Sequence, residues 1–261
     1  MADPSSFVRD HVLQFTVGFA KTDGTFPSAL GTGVLIQTRA FLAILTCAHV
    51  IELLVKVRQV GLVNFTRGKT TQAATLDMEE APTVTWGSDP WNGPDIGVIY
   101  VPPDRAGNLV ARFTALNAER NFEKFSKPQP SAPCTDAVFG LVEVFSGSPE
   151  SVGGGVVRTP LTGVLTPGRI VSQDDDTSTL QALEHNIPDL PSSFGGNSGG
   201  GLWRVYVQDS DSDRPSIAGF VLQGIASRQD LSTQPARIIC QSPKRMFGII
   251  AKAAEEFLSQ P

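Results

Sequence analysis

The stretch Ser193-Phe194-Gly195-Gly196-Asn197-Ser198-Gly199-Gly200-Gly201-Leu202-Trp203 sets five glycines around one serine. Glycine tolerates positive φ and close backbone approach. A loop of this kind can hold a hydroxyl exposed while turning neighbouring N–H groups toward one point, which is what stabilising an oxyanion requires. A flexible glycine linker has a similar composition. Against that reading stand the apolar run that follows, Leu202 to Val207, and two further pieces of chemistry upstream.

Those pieces are Leu45-Thr46-Cys47-Ala48-His49-Val50 and Pro94-Asp95-Ile96-Gly97-Val98-Ile99-Tyr100-Val101. A serine hydroxyl is a weak nucleophile until a base takes its proton, and an imidazole serves best when a buried carboxylate fixes its tautomer. The chain offers a base, an orienting acid and a nucleophile in the order His49, Asp95, Ser198. An aspartate at the mouth of an apolar strand is costly unless hydrogen-bonded, and His49 Nδ1 is the natural partner. Asp89 competes for that role, but no apolar strand follows it directly.

In these three blocks the chain resembles the trypsin/chymotrypsin-like serine peptidases, whose signatures are T-A-A-H, D-I-A-L and G-D/N-S-G-G. The order of the three residues is also the one found there, not the order of α/β-hydrolases or subtilisins. The likeness is specific at the three blocks and holds in pattern only elsewhere. It implies an all-β fold of two six-stranded antiparallel β-barrels, chymotrypsin-like, with the active site between them and a C-terminal α-helix. It further implies a serine endopeptidase working through an acyl-enzyme on Ser198, with His49 as general base and acid and Asp95 orienting it. The N–H groups of Gly196 and Ser198 would form the oxyanion hole. Ser227 matches the serine that supports the catalytic aspartate, and Gln223 to Gln229 resembles the strand lining the specificity pocket. Ser192, Ser227, Arg228 and Gln229 are therefore the expected substrate-binding residues.

Two departures from the family pattern carry information. Asn197 stands where zymogen-activated members have aspartate, so the ion pair with a freed N-terminus cannot form and activity should not depend on that cleavage. The pocket-floor position is Ser192, which argues against a Lys or Arg preference. Arg228 and Gln229 replace the usual Trp-Gly of the pocket wall and suggest a small or medium uncharged P1 residue, with an acidic one as the lesser alternative. The resemblance is to bacterial, cytosolic, non-zymogen members. An always-active enzyme of that kind would endanger its host, so gating by an activating or inhibitory protein partner, or narrow specificity, is expected. A catalytically silent peptide-binding pseudopeptidase and an esterase using the same triad are the alternatives.

Composition agrees with this picture. The 261 residues include 41% hydrophobic residues, 25 Gly and 19 Pro, a turn-rich β profile. The net charge of −5 gives no electrostatic footprint for nucleic acid or anionic lipid. No run approaches the ~20 apolar residues of a membrane span, and Met1 to Ser6 lacks the basic and apolar regions of a signal peptide. Three cysteines, Cys47, Cys134 and Cys240, form no pairing pattern; they read as thiols in a reducing compartment, which favours the cytoplasm.

Along the chain, the whole reads as one peptidase domain: a first barrel over about 14–112, a linker over about 113–133, a second barrel over about 134–241 and a helix over about 243–259. Ser6 to Leu13 reads as a short helix or arm carrying a surface histidine, His11, while His185 reads as a solvated loop residue. In the first barrel Gln14–Phe19, Gly31–Ile36, Phe41–Thr46, Val55–Val63 and Gln72–Leu76 read as strands. In the second, Ala137 to Phe145, Val156–Arg158, Leu161–Leu165 and the hairpin of Leu202–Val207 with Ile217–Ile225 do so. Gly153-Gly154-Gly155 lacks the Lys-Ser/Thr of a phosphate loop. Asp174-Asp175-Asp176 and Asp209 to Asp213 read as solvated loops; the second fails as an EF-hand, with Arg214 at position 6 and Phe220 at position 12. No metal or cofactor is expected. Ser242 can cap the last helix and Pro243 suits its first turn, with Met246, Phe247, Ile250, Ala253, Ala254, Phe257 and Leu258 as its apolar face.

Overall fold

The computed structural model describes residues 4–21, 28–66, 69–89, 93–127, 131–142, 150–151, 157–158, 161–183, 196–208, 216–230, 232–233 and 235–259. Helix α1 (Pro4–Val12) and one tight turn, Leu13–Phe15, lead into a mostly antiparallel first sheet. Its strands are β1 (Thr16–Lys21), β2 (Ser28–Gln37), β3 (Leu42–Thr46), β4 (Gln59–Thr66), β5 (Lys69–Asp77), β6 (Thr83–Trp86) and β7 (Ile96–Tyr100), in the order β5-β4-β1-β2-β3-β7-β6. A short eighth strand, β8 (Leu116–Asn117), runs parallel to β2. The first sheet thus has eight strands rather than six, and among the described residues no ladder joins β5 to β6.

The second sheet closes as the expected six-stranded barrel. Its order is β12 (Gly163–Gln173), β13 (Thr177–Ala182), β16 (Arg237–Gln241), β15 (Ser216–Asp230), β14 (Gly201–Gln208) and β9 (Cys134–Leu141). The pair β10 (Glu150–Ser151) and β11 (Val157–Arg158) stands apart from it. Together the two sheets and the C-terminal helix α5 (Pro243–Leu258) make a chymotrypsin-like, two-barrel, predominantly β protein.

Hydrophobic periodicity explains most of these elements. Along β13 Ser178, Leu180 and Ala182 are buried while Thr177, Thr179 and Gln181 are half-buried, the period of two of a one-sided strand. All of β7 is buried because it is covered on both faces: Gly97 lies against Ile51 of helix α2 (Ala48–Val57), and the Tyr100 hydroxyl donates to the Ala253 carbonyl on α5. The N-terminal arm crosses to the second barrel, where Phe15 stacks 5.5 Å from the wholly buried Trp203.

Three local readings are corrected. The run from Val55 is not extended: α2 continues to Val57, burying Ala48, Val50, Ile51 and Leu54 at helical spacing. Its β-branched content imitates a strand. Between the barrels the chain forms α3 (Pro103–Val110) and α4 (Ala118–Ser126), the latter capped by Asn117 Oδ1 accepting from Arg120 N at 2.7 Å. A largely exposed, polar helix leaves little apolar signal to read. On α5 the buried face is Met246, Ile249 and Ala253, whereas Leu258 is 74% exposed. Both ends of that helix's start are as expected, with Ser242 accepting from Arg245 N and Pro243 in the first turn.

Candidate active site

Strand β3 ends at Thr46, and Cys47 in extended conformation starts α2, so His49 sits in the first turn of a helix. Strand β7 is neighbour to β3 in the sheet, which brings Asp95, one residue before β7, beside that turn. The Asp95 carboxylate is wholly buried and uses both oxygens: Oδ1 accepts the His49 backbone N–H at 3.0 Å, and Oδ2 lies 2.7 Å from His49 Nδ1. One carboxylate therefore caps the positive end of α2 and fixes the imidazole with its proton on Nδ1, leaving Nε2 to accept. The histidine side chain keeps 32% of its surface exposed against none for the aspartate. Only the imidazole of the pair is open to a substrate.

The support behind Asp95 differs from the family expectation. Ser227 Oγ donates to the Ile239 carbonyl at 3.1 Å instead of to the aspartate, because it faces β16. The Asp95 N–H is taken by Gln241 Oε1 at 3.3 Å, and the same oxygen accepts from Arg245 Nη1 at 3.1 Å. Arg245 Nη1 also donates to the Gly93 carbonyl at 3.1 Å, and Nη2 lies 3.0 Å from Asp176 Oδ1. The Ser242 hydroxyl and the Lys244 ammonium both reach Asp175. The acidic triplet is exposed, as a solvated loop is, and Asp175 and Asp176 also contact the start of α5.

Cys47 occupies the interior beside the pair. Its thiol donates to the Ala226 carbonyl at 3.1 Å, and burial, reinforced by the neighbouring Asp95 charge, pushes it well above the usual thiol range. Cys47 Sγ, a ring nitrogen of His49 and the Asp95 carboxylate lie within 4.8 Å of one another, a metal-ligand set in residue type. Each donor atom is already committed to a hydrogen bond, and the thiol holds its proton. The buried Cys240 is likewise raised by burial, and Cys134 is exposed.

Ser198 comes from the second barrel, on the loop before β14. Its hydroxyl donates to the Ser227 carbonyl at 3.3 Å. The main chain around it is tied down in sequence: Gly199 N donates to the Ala226 carbonyl at 2.7 Å, Gly200 N to the Asn197 carbonyl at 2.8 Å, and Ala226 N to the Gly200 carbonyl at 2.8 Å. Because a peptide N–H points opposite its own carbonyl, tying the Asn197 carbonyl inward turns the Ser198 N–H the other way. Gly196 and Gly199 both hold φ at +88°, a conformation other residues enter only with strain. A Cβ on Gly199 would also run into the Thr32 carbonyl oxygen.

The remaining site residues divide. Asn197 and Ser198 line a small cavity of about 30 Å³ with Ala226, Arg228, Gln229 and Ile238, so Arg228 and Gln229 do border the serine. Asn197 is buried, and neither atom of its amide has a hydrogen-bond partner among the described residues. Ser192, His185, Gly195, Gly153 to Gly155 and Asp209 to Asp213 lie outside the described residues. His11 is half-buried rather than freely exposed: it packs 4.6 Å from the Phe220 ring, and burial lowers its pKa. A larger cavity of about 350 Å³, lined among others by Asp10, Asn64 and Arg112, holds none of the three central residues.

No protein-family profile matches the chain, and no curated protein matches it in sequence. Among solved structures, that of the serine endoprotease from Yersinia pestis is similar at a TM-score of 0.53 and 14% identity, over 99% of this chain and 68% of that one. The tobacco vein mottling virus protease aligns at a TM-score of 0.39 and 13% identity, over 89% of this chain and 78% of that one. At 14% identity the likeness to the Yersinia pestis structure bears on the fold alone, which is chymotrypsin-like. No helix among the described residues is long and apolar enough to cross a membrane.

Proposed function

We propose that this chain is a serine endopeptidase. The observation that carries the reading is the pairing of His49 Nδ1 with a wholly buried Asp95 at 2.7 Å, which leaves Nε2 as the imidazole's acceptor. Ser198 attacks the peptide carbonyl while His49 Nε2 takes its proton and later delivers it to the leaving amine. Asp95 holds the tautomer and supports the imidazolium. The Ser198 N–H, joined by that of Gly196, receives the oxyanion, and water then hydrolyses the acyl-enzyme. The 30 Å³ cavity bordered by Arg228 and Gln229 supports a small P1 side chain, uncharged or, with Arg228 on the wall, acidic. The three unpaired thiols support a reducing compartment such as the cytoplasm, and regulation by a protein partner is part of the proposal.

One observation favours a second reading. The Ser198 hydroxyl rests on the Ser227 carbonyl, a geometry that suits a latent enzyme or a silent peptide-binding module. Labelling with a fluorophosphonate at neutral pH separates the readings. Wild type labels and Ser198→Ala and His49→Ala do not if the serine is activated; a wild type that stays unlabelled overturns the resting peptidase. Relative rates on ester and peptide substrates then decide between peptidase and esterase.

A further inference from the structure

The two halves of the site are built on different sheets, and one side chain touches both. Thr32 lies in β2, wholly buried. Its N–H donates to the Ser198 carbonyl at 2.9 Å, and its hydroxyl donates to the Gly196 carbonyl at 2.8 Å. The same hydroxyl accepts the Leu141 N–H, at the end of β9, at 2.9 Å. Its carbonyl accepts the Thr46 hydroxyl at 2.6 Å, and Thr46 is the last residue of β3, three before His49.

We propose that Thr32 is a positioning residue that sets the nucleophile loop against the histidine-bearing turn. The argument is geometric. Two carbonyls, one on either side of Asn197, are clamped by one residue, so the loop from Gly196 to Ser198 cannot rotate without breaking a bond to Thr32. The clamp is anchored on the first sheet through Thr46 and on the second through Leu141. The separation of Ser198 and His49 is therefore fixed by a residue that touches neither side chain. Valine at this position would fill the same volume, keep both backbone bonds and remove only the hydroxyl. It would leave the half-buried Gly196 carbonyl and the buried Leu141 N–H without their partner, and misplacement of a reacting group by about 1 Å costs about 10²-fold in rate.

This inference rests on the peptidase reading for its kinetic consequence and not for its structural one, so the test has two arms. Thr32→Val and Thr32→Ser are compared with wild type, with rates expressed per serine titrated by fluorophosphonate. The expected result is a fall in kcat of about 10²-fold for Thr32→Val with KM nearly unchanged. Thr32→Ser is expected to recover most of it, and the pH midpoint of kcat/KM should not move, since His49 and Asp95 keep their contacts. Equal kcat per titrated serine in wild type and Thr32→Val overturns the proposal. The second arm is amide hydrogen exchange over residues 196–201, which should accelerate in Thr32→Val and not in Thr32→Ser. Unchanged exchange in Thr32→Val overturns the clamp. A wild type that neither labels nor hydrolyses defeats the peptidase reading, and the exchange arm still decides the clamp.

Discussion

The two halves of the candidate site are held by different forces. The His49–Asp95 half is fixed by side chains: a buried carboxylate bridges an imidazole and a helix N-terminus. The Ser198 half is fixed by main chain: successive carbonyls and N–H groups of residues 196–200 are tied to Thr32 and Ala226. The first half can be dismantled one functional group at a time. The second depends on one side-chain group, the Thr32 hydroxyl, its other bonds being main chain to main chain, and it also fails when a Cβ is added.

The sharpest way to break the side-chain half is Asp95→Asn. The amide retains an acceptor for the His49 N–H but favours the wrong imidazole tautomer. In enzymes with this arrangement that change costs about 10⁴-fold in kcat with geometry intact. A comparable fall in kcat with little change in melting temperature is expected, measured by single-turnover kinetics beside thermal unfolding. Retention of more than a tenth of wild-type kcat would show that Asp95 is not the orienting group.

Gly199→Ala attacks the other half and should show the reverse signature. Alanine at φ +88° is strained, and its methyl would meet the Thr32 carbonyl. The expected loss is on the order of 3 kcal/mol, seen as a lowered melting temperature together with lost fluorophosphonate labelling. A variant as stable and as reactive as wild type would show that the loop does not depend on this conformation.

The smallest effects test the support behind Asp95. Arg245 keeps only 11% of its side chain exposed and bonds Gly93, Gln241 and Asp176, whereas Lys244 beside it is 68% exposed. Arg245→Gln should lower stability by about 1–2 kcal/mol through the orphaned acceptors. Lys244→Ala should be indistinguishable from wild type, since an exposed ion pair is screened by water and salt. Equal denaturant midpoints for the two variants would deny α5 a role in holding the Gly93–Asp95 segment.

The fold was legible where burial imposed a period on the chain. The strands Gly31–Ile36, Leu202–Val207 and Ile217–Ile225 could be read because one or both faces are packed. Helix α4 could not, being polar and largely exposed. Helix α2 was misread in its second half, where Val55 and Val57 look like strand residues. The pairing of His49 with Asp95 was legible because an imidazole and a buried carboxylate need one another as partners. The role of Ser227 was not, because its place in the strand is independent of the rotamer that sends its hydroxyl to Ile239.

The sequence by itself determined a turn-rich β chain and a capped C-terminal helix, and it singled out the three residues proposed as base, orienting acid and nucleophile. Tertiary structure alone decided that Asp95 also caps α2, that Gln241, 146 residues away, receives its N–H, and that Thr32 joins the two halves. The reason is physical. A hydrogen bond to a backbone carbonyl can be made by many residue types, so a threonine clamping two carbonyls or a glutamine receiving one N–H leaves no pattern in the chain. Such contacts exist only once the barrels have packed and brought distant main-chain groups within about 3 Å of one another.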